Sequence, residues 1–133
     1  MSDEALEPDP SAVAAKWEEI APGIDKMAQR TADPNDFPIS AGSSLAGDDK
    51  ASSPYQVSHA ARMCLVAGVD HLHAVKGLFL DMHVLHPAAQ FSLVRGSLEN
   101  LSAAFWILHP KARDQRVERT LRWHAKNFHE QYI

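Results

Sequence analysis

Apolar residues that recur every three or four positions between prolines constrain this 133-residue chain more than any other feature of its sequence. That spacing puts side chains on one face of an α-helix, which has 3.6 residues per turn. The clearest stripe consists of Phe91, Val94, Leu98, Leu101, Phe105 and Leu108; an earlier one consists of Cys64, Leu72, Val75, Leu78, Phe79, Met82 and Leu85. A later stripe consists of Val117, Leu121, Ala125, Phe128 and Tyr132. No run alternates as a strand does, so the sequence predicts an all-α fold.

Prolines mark the expected helix starts, because proline fits the first helical turn and disfavours helix in the residue before it. Such junctions occur at Asp9-Pro10, Ser53-Pro54, His86-Pro87 and His109-Pro110. We therefore expect an antiparallel helical bundle of three long helices, at about 54–85, 87–108 and from 110 onward. A short N-terminal helix at 10–30, disturbed at Ala21-Pro22-Gly23, is expected to precede them.

The chain is short enough for a single domain, residues 1–133. Residues 31–53 are rich in Pro, Gly, Ser and Asp, and this composition predicts a long mobile loop between the N-terminal helix region and a helical core at 54–133. Residues 1–9 are expected to form a disordered tail. Because residues 128–133 have no helix stop signal, two interpretations stay open: a natural terminus, or the N-terminal part of a longer protein.

Charge and cysteine content favour a cytoplasmic protein. Cys64 is the single cysteine, which excludes an internal disulfide, and we expect it to be a buried, inert side chain. The N-terminus is acidic, unlike a signal peptide, and no stretch has about 20 uncharged apolar residues. Residues 1–50 hold eleven acids and four bases, whereas residues 51–133 hold six acids and nine bases. Attraction between the two parts is expected to help them dock.

The eight histidines raise the question of a metal site. His83 and His86, like Asp70 and His73, are three residues apart and could each supply two ligands, but zinc needs three or four. No Glu-x-x-His motif is present, so we assign no metal ligand and expect no cofactor. A His-rich metalloprotein stays a third alternative. His71 falls inside an apolar stripe and is predicted to be a buried histidine, either satisfied by a hydrogen bond or facing a ligand.

Two polar features accompany the later helices. Arg95 and Glu99 are one turn apart at the edge of an apolar stripe. Two interpretations stay open: a surface ion pair, or a pair that a neighbouring helix covers. The stretch 111–126 is strongly basic, and basic residues interleaved with an aromatic can bind phosphates and stack a base. The candidate nucleic-acid face consists of Arg113, Arg116, Arg119, Trp123 and Lys126. The same helix could instead be solvated, or dock the acidic N-terminal part.

The segment from Arg122 to His129 resembles the Arg-x(4–6)-His motif of the HEPN superfamily, whose helical bundles often dimerise and include metal-independent ribonucleases. The resemblance implies that Arg122 would stabilise phosphate charge and that His129 would act as general base or orient the 2′-hydroxyl. Trp123 departs from the family, in which a polar residue commonly follows the arginine. The arrangement of the last two helices also resembles uncharacterised actinobacterial helical proteins.

No spacing places a nucleophile, a base and an orienting group together, so a non-catalytic role is favoured. The apolar stripes exceed what a thin bundle can cover, which predicts a homodimer or a helical protein partner. The favoured function is therefore a self-associating or protein-binding module. The first alternative is a HEPN-like dimer that binds or cleaves RNA.

Overall fold

The computed structural model describes residues 9–131 and confirms the all-α class, because these residues form helices and no strand. Its five α-helices are α1 (Pro10–Ala32), α2 (Ser44–Ser52), α3 (Val57–Lys76), α4 (Pro87–Leu108) and α5 (Arg113–Gln131), with a π-helical turn at Gly77–Asp81. The expected tail at 1–9, apart from Asp9, lies outside the described residues, as do Tyr132 and Ile133.

Helix α1 is long, so the expectation of a short helix disturbed at Ala21-Pro22-Gly23 was wrong. The helix is continuous from Pro10 to Ala32 with Pro22 inside it. Pro22 and Glu18 are both exposed, so water can reach the Glu18 carbonyl that the missing proline N–H would otherwise bind. Asp9 caps the helix by accepting from the Ser11 backbone N–H at 3.0 Å.

Helix α2 lies inside the segment 31–53 that composition predicts to be a mobile loop, so that prediction was wrong for residues 44–52. The Ser43 hydroxyl caps the helix by accepting from the Ala46 backbone N–H at 3.1 Å. The helix buries Asp48, which is 1% exposed, rather than an apolar stripe. Besides the packing of Leu45 on the apolar core, α2 is thus held by a buried polar contact that hydrophobic patterning does not detect.

Helix α3 ends at Lys76, before the expected end at Leu85, because the chain widens into the π-helical turn. The Met82 backbone N–H donates to the Gly77 carbonyl at 2.9 Å, and His83 then leaves the helix with φ at 52°. The wide turn brings the Asp81 carboxylate to 2.9 Å from the Lys76 ammonium. Lys76 also pairs with Asp25 of α1 at 3.0 Å, so the turn is fixed to the first helix.

The segment Val57–Asp81 is the one helical segment within residues 9–131 that is long and apolar enough to cross a membrane by length and composition. It carries charged residues, among them Asp70 and Lys76, and it packs against α1 and α4. The central helix of a water-soluble protein meets the same two criteria. A cytoplasmic location therefore stays a prediction.

Helix α4 begins and ends at the predicted residues, whereas α5 begins at Arg113 rather than at Pro110. The carbonyls of Pro110 and Lys111 explain the later start of α5. Both accept from a side-chain nitrogen of Arg116, each at 2.8 Å. They are thus bonded to a guanidinium in place of helix N–H groups.

Helices α3 and α4 make the most extensive contact in the fold, and small residues let them approach each other. A side chain at Gly68 would put its Cβ 2.7 Å from Leu101, and one at Gly96 would put its Cβ 2.6 Å from the His71 ring. The Ser97 hydroxyl donates to the Gly68 carbonyl at 2.8 Å and is buried there. The order of these contacts shows that the two helices run in opposite directions.

The apolar core lies where the start of α3 meets the end of α4. Val57, Ala60 and Ile107 are fully buried, and Leu45, Val117 and Trp123 pack around them. Cys64 is buried close to this core on α3, as predicted, and burial raises the pKa of its thiol to about 11. The cysteine is therefore a neutral thiol at neutral pH.

A buried ion pair joins α2 to α5 across the sequence. Arg116 binds Asp48 through two nitrogens, at 2.6 and 2.8 Å, and Arg113 adds a third bond at 3.0 Å. The Arg116 guanidinium also holds the pKa of Asp48 below its usual range. The stabilisation is therefore present above the pH at which an unfolded Asp titrates and is lost as pH falls through the lower folded pKa. This is the docking of acidic on basic segments that the charge distribution predicts.

We expect Asp48→Asn to lower the free energy of unfolding by about 3 kcal/mol, because Arg116 would keep its buried charge without a carboxylate. Urea denaturation followed by circular dichroism measures the change. Glu118→Gln is the matched control, since it removes an exposed ion pair of α5 that contributes less than about 1 kcal/mol. Equal stability of the two variants would show that the Asp48 pair does not hold α2 in place.

Candidate functional site

An apolar surface runs along the side of α4 that faces away from α3. Phe91, Leu98 and Phe105 are seven residues apart and are 71%, 63% and 65% exposed. Val94 and Leu108 are also exposed and lie along the same stripe. We call these five residues the α4 stripe. Spacings of three and four residues within it match the a and d positions of a heptad repeat, the pattern of helices that pair with another helix.

Packing inside the chain explains why the stripe is left outside. Helix α4 turns its small residues, Gly96 and Ser97, toward α3 and buries Ile107 in the core. Phe91, Leu98 and Phe105 consequently point away from both contacts, whereas Leu101 packs against Gly68 of α3. The stripe exposes on the order of 500 Å² of apolar surface, the size at which a patch on a soluble protein usually marks an interaction site.

Arg95 and Glu99 are the two charged residues of α4 and lie on either side of Leu98 along the helix. Their side chains form an ion pair at 2.8 Å and are 70% and 63% exposed, so no helix among the described residues covers them. Of the two interpretations of this pair, the structure shows the surface ion pair. It adds little stability within one chain, which leaves both groups available to a partner.

A cleft of about 280 Å³ extends the α4 stripe toward α1. Val13 and Trp17 of α1 form one wall, and Phe91 and Val94 form the other. The Trp17 ring packs 5.8 Å from the ring of Phe79 at its base. Exposed Met82 and Leu85 lie just before α4 in the chain. The apolar surface is therefore wider at the N-terminal end of α4 than the stripe alone.

The candidate nucleic-acid face on α5 is not a single exposed surface. Arg116 is buried in its pair with Asp48, and Arg113 is bound to the same carboxylate. The prediction that Arg116 binds phosphate was therefore wrong, because its guanidinium is already bound in a buried ion pair and to two backbone carbonyls. Trp123 is half-buried against the core, where its ring is not free to stack a base.

The other two basic residues of that face are differently placed. Arg119 donates to the Trp106 carbonyl at 2.6 Å, and its guanidinium lies 5.0 Å from the centre of the Trp106 ring. Lys126 is exposed and lies 3.8 Å from Glu130. Only part of the predicted face is thus presented to solvent.

Arg122 and His129 are both exposed on α5. Arg122 pairs with Glu118 one turn earlier, at 2.7 Å, and both side chains are largely exposed. The arginine is thus held by a neighbouring carboxylate that a phosphate would have to displace. A ribonuclease role for these two residues stays a prediction.

His71 lies half-buried between α3 and α4. Its Nδ1 atom is 2.6 Å from the Ala67 carbonyl oxygen, which can only accept, so Nδ1 carries the proton in this contact. The ring fills the space that Gly96 leaves open. His71 therefore acts as a spacer between the two helices.

No group of three or more His, Cys, Asp or Glu residues that could hold a metal ion occurs within residues 9–131. His83 and His86 flank the connection from the π-helical turn to α4 and are both exposed. His73 lies 3.4 Å from Asp25, which also binds Lys76. These histidines are thus distributed over separate surfaces.

His124 belongs to an aromatic cluster that the sequence did not indicate. Its ring centre is 5.3 Å from that of Tyr55 and 6.3 Å from that of Phe128. Its Nε2 atom is buried and has no hydrogen-bond partner in the described part of the chain. Burial, together with the nearby His59, lowers the pKa of His124. The cluster joins the start of α3 to α5, residues too distant in sequence for any local pattern to connect.

Comparison of the chain with models of protein families, with characterised proteins and with solved structures finds no match. Function is therefore inferred from the geometry of the chain itself.

We expect His124 to titrate in the folded protein with a midpoint below 6.5, because its charged form is poorly solvated. The unfolded chain then binds the proton more readily, so stability is fully present above about pH 6.5 and falls as pH drops below it. NMR titration of the ring protons measures the midpoint directly. His124→Phe should flatten the pH dependence of stability between about pH 5 and 7, whereas exposed His129→Gln should not. A midpoint at or above 6.5 would contradict the burial of this ring.

Proposed function

We propose that this chain is a self-associating helical module in which α4 packs against α4 of a second copy. The exposure of Phe91, Leu98 and Phe105 at heptad spacing carries the proposal. Removing apolar surface from water stabilises association by roughly 25 cal/mol per Å² before the cost of bringing two chains together. The stripe offers hydrocarbon and aromatic groups, which suit binding rather than acid–base chemistry.

The charges beside the stripe favour a second copy as the partner. In a two-fold symmetric pair of antiparallel α4 helices, an axis near Leu98 would bring Arg95 of each chain toward Glu99 of the other. One surface is thus complementary to itself in both shape and charge. A heptad seam also matches the geometry of antiparallel helix pairs, which cross at about 20°.

In such a dimer, each chain would keep the antiparallel bundle that the sequence predicts. Helix α4 would lie at the edge of that bundle, against the second copy. The α4 stripe and the cleft beside Trp17 would lie at the centre of the dimer interface. Such an interface leaves α5, on which Arg122 and His129 lie, outside the contact. The homodimer therefore does not depend on the HEPN-like interpretation of that helix.

We expect light scattering to give twice the 14.7 kDa mass of one chain and Leu98→Glu to give a single-chain mass. Two-fold symmetry would bury two unpaired carboxylates at the interface, which should raise the dissociation constant on the order of 100-fold. Phe105→Glu should act in the same way.

Leu121→Glu is the matched control, because Leu121 is an exposed leucine of α5, away from the stripe. It should leave the dimer intact. A wild-type protein that stays at 14.7 kDa at high concentration, or an equal effect of both leucine variants, would refute pairing through α4.

Charge reversal tests the orientation of the pair. Arg95→Glu and Glu99→Arg should each weaken the homodimer, because each places like charges across the axis. A mixture of the two variants should form a heterodimer about tenfold tighter than either homodimer, a difference of about 1.4 kcal/mol for two exposed ion pairs. Native mass spectrometry of the mixture measures this preference, and a statistical distribution of species would exclude the proposed arrangement.

A further inference from the structure

A groove of about 770 Å³ lies where the segment 33–43 crosses α3 and the end of α4, and it meets the α4 stripe only at Leu108. Its volume is in the range of small-molecule sites, which are about 300–1,000 Å³ and mostly apolar. The apolar lining consists of Phe37, Pro38, Ile39, Leu45, Leu65 and Leu108. A ligand would therefore bury a hydrocarbon or aromatic body here.

The polar lining of the groove consists of neutral serines and a glutamine together with a histidine and an arginine, so its formal charge is positive. Arg62 is its one charged lining residue, His59 is its one histidine, and no acidic residue lines it within the described chain. Arg62 donates to the backbone carbonyls of Asp33 and Asp36, at 2.8 and 2.7 Å. These acceptors are neutral, and the Asp36 carboxylate is bound by Arg30 at 3.0 Å. The nearby Arg30 and, to a smaller extent, Arg62 lower the pKa of the Asp36 carboxylate. No carboxylate among the described residues accepts a hydrogen bond from the half-buried Arg62 guanidinium.

Residues 33–38 form one wall of the groove, and contacts with neighbouring residues hold this wall in one conformation. Phe37 has φ at 56°, in the left-handed region, which a non-glycine residue adopts only when its surroundings hold it there. The Arg30 guanidinium lies 4.3 Å and that of Arg62 5.9 Å from the centre of the Phe37 ring. Two cations and two carbonyl contacts therefore hold the groove in a preformed shape, which lowers the cost of binding.

We propose that this groove binds a small amphipathic anion: a molecule with an apolar body and a single carboxylate that pairs with Arg62. The apolar lining takes the body, and the guanidinium supplies the charge that a carboxylate needs when it leaves water. This activity is separate from self-association, since only Leu108 is shared with the α4 stripe.

The test uses the full-length protein and three probes with the same eight-carbon chain: octanoate, 1-octanol and octyltrimethylammonium. We expect octanoate to bind at least about tenfold more tightly than octanol, and the cation to bind most weakly, because the headgroup charge changes from negative to neutral to positive while the alkyl tail stays similar. Backbone NMR shifts should locate octanoate at Ile39, Leu65 and Leu108. Equal affinities for the three probes, shifts elsewhere, or no binding of octanoate would overturn the proposal.

Two variants distinguish the contribution of the Arg62 charge from that of the apolar volume of the groove. Arg62→Met keeps an apolar stem and should reduce octanoate affinity at least about tenfold while leaving octanol affinity unchanged. Leu65→Trp fills the groove and should weaken both probes. Arg122→Met is the matched control, because it removes an exposed arginine of α5 that lies outside both the groove and the α4 stripe. Unchanged octanoate binding in Arg62→Met, with native circular dichroism, would refute the role of the guanidinium.

Discussion

The close contact between α3 and α4 is the constraint on which the rest of the structure depends. Gly68 and Gly96 let the two helices approach, and Ser97 is buried between them. Because α4 uses its small-residue face for this contact, Phe91, Leu98 and Phe105 are turned outward. A contact inside one chain thereby creates the surface that we assign to contact between chains.

The sequence predicted those parts of the fold that local patterns control. Helix α4 has a proline start and a repeating stripe, and its bounds were predicted residue for residue. The stripe was recognised, but periodicity does not tell whether a stripe meets the core or solvent. Here the contact with α3 is made by small residues together with Leu101, the one member of the predicted stripe that packs against Gly68.

The remaining features depend on partners far apart in the chain. Helix α2 was missed because its stabilising residue, Asp48, finds Arg116 68 positions later. The same pair removed Arg116 from the predicted nucleic-acid face, since a basic run gives no sign of which member is buried. The groove beside Arg62 was likewise hidden, because its wall depends on Phe37 in a segment whose composition resembles a mobile loop.

Disulfide trapping at the proposed axis tests the central claim most directly. A cysteine at position 98 should face its own copy across the dimer and form a linked dimer under mild oxidation, because a disulfide needs Cα atoms about 4.4–6.8 Å apart. The native Cys64 is buried as a neutral thiol and should not compete. We expect rapid linkage for Leu98→Cys and slow linkage for Leu121→Cys. Equal rates for the two variants would contradict pairing through α4.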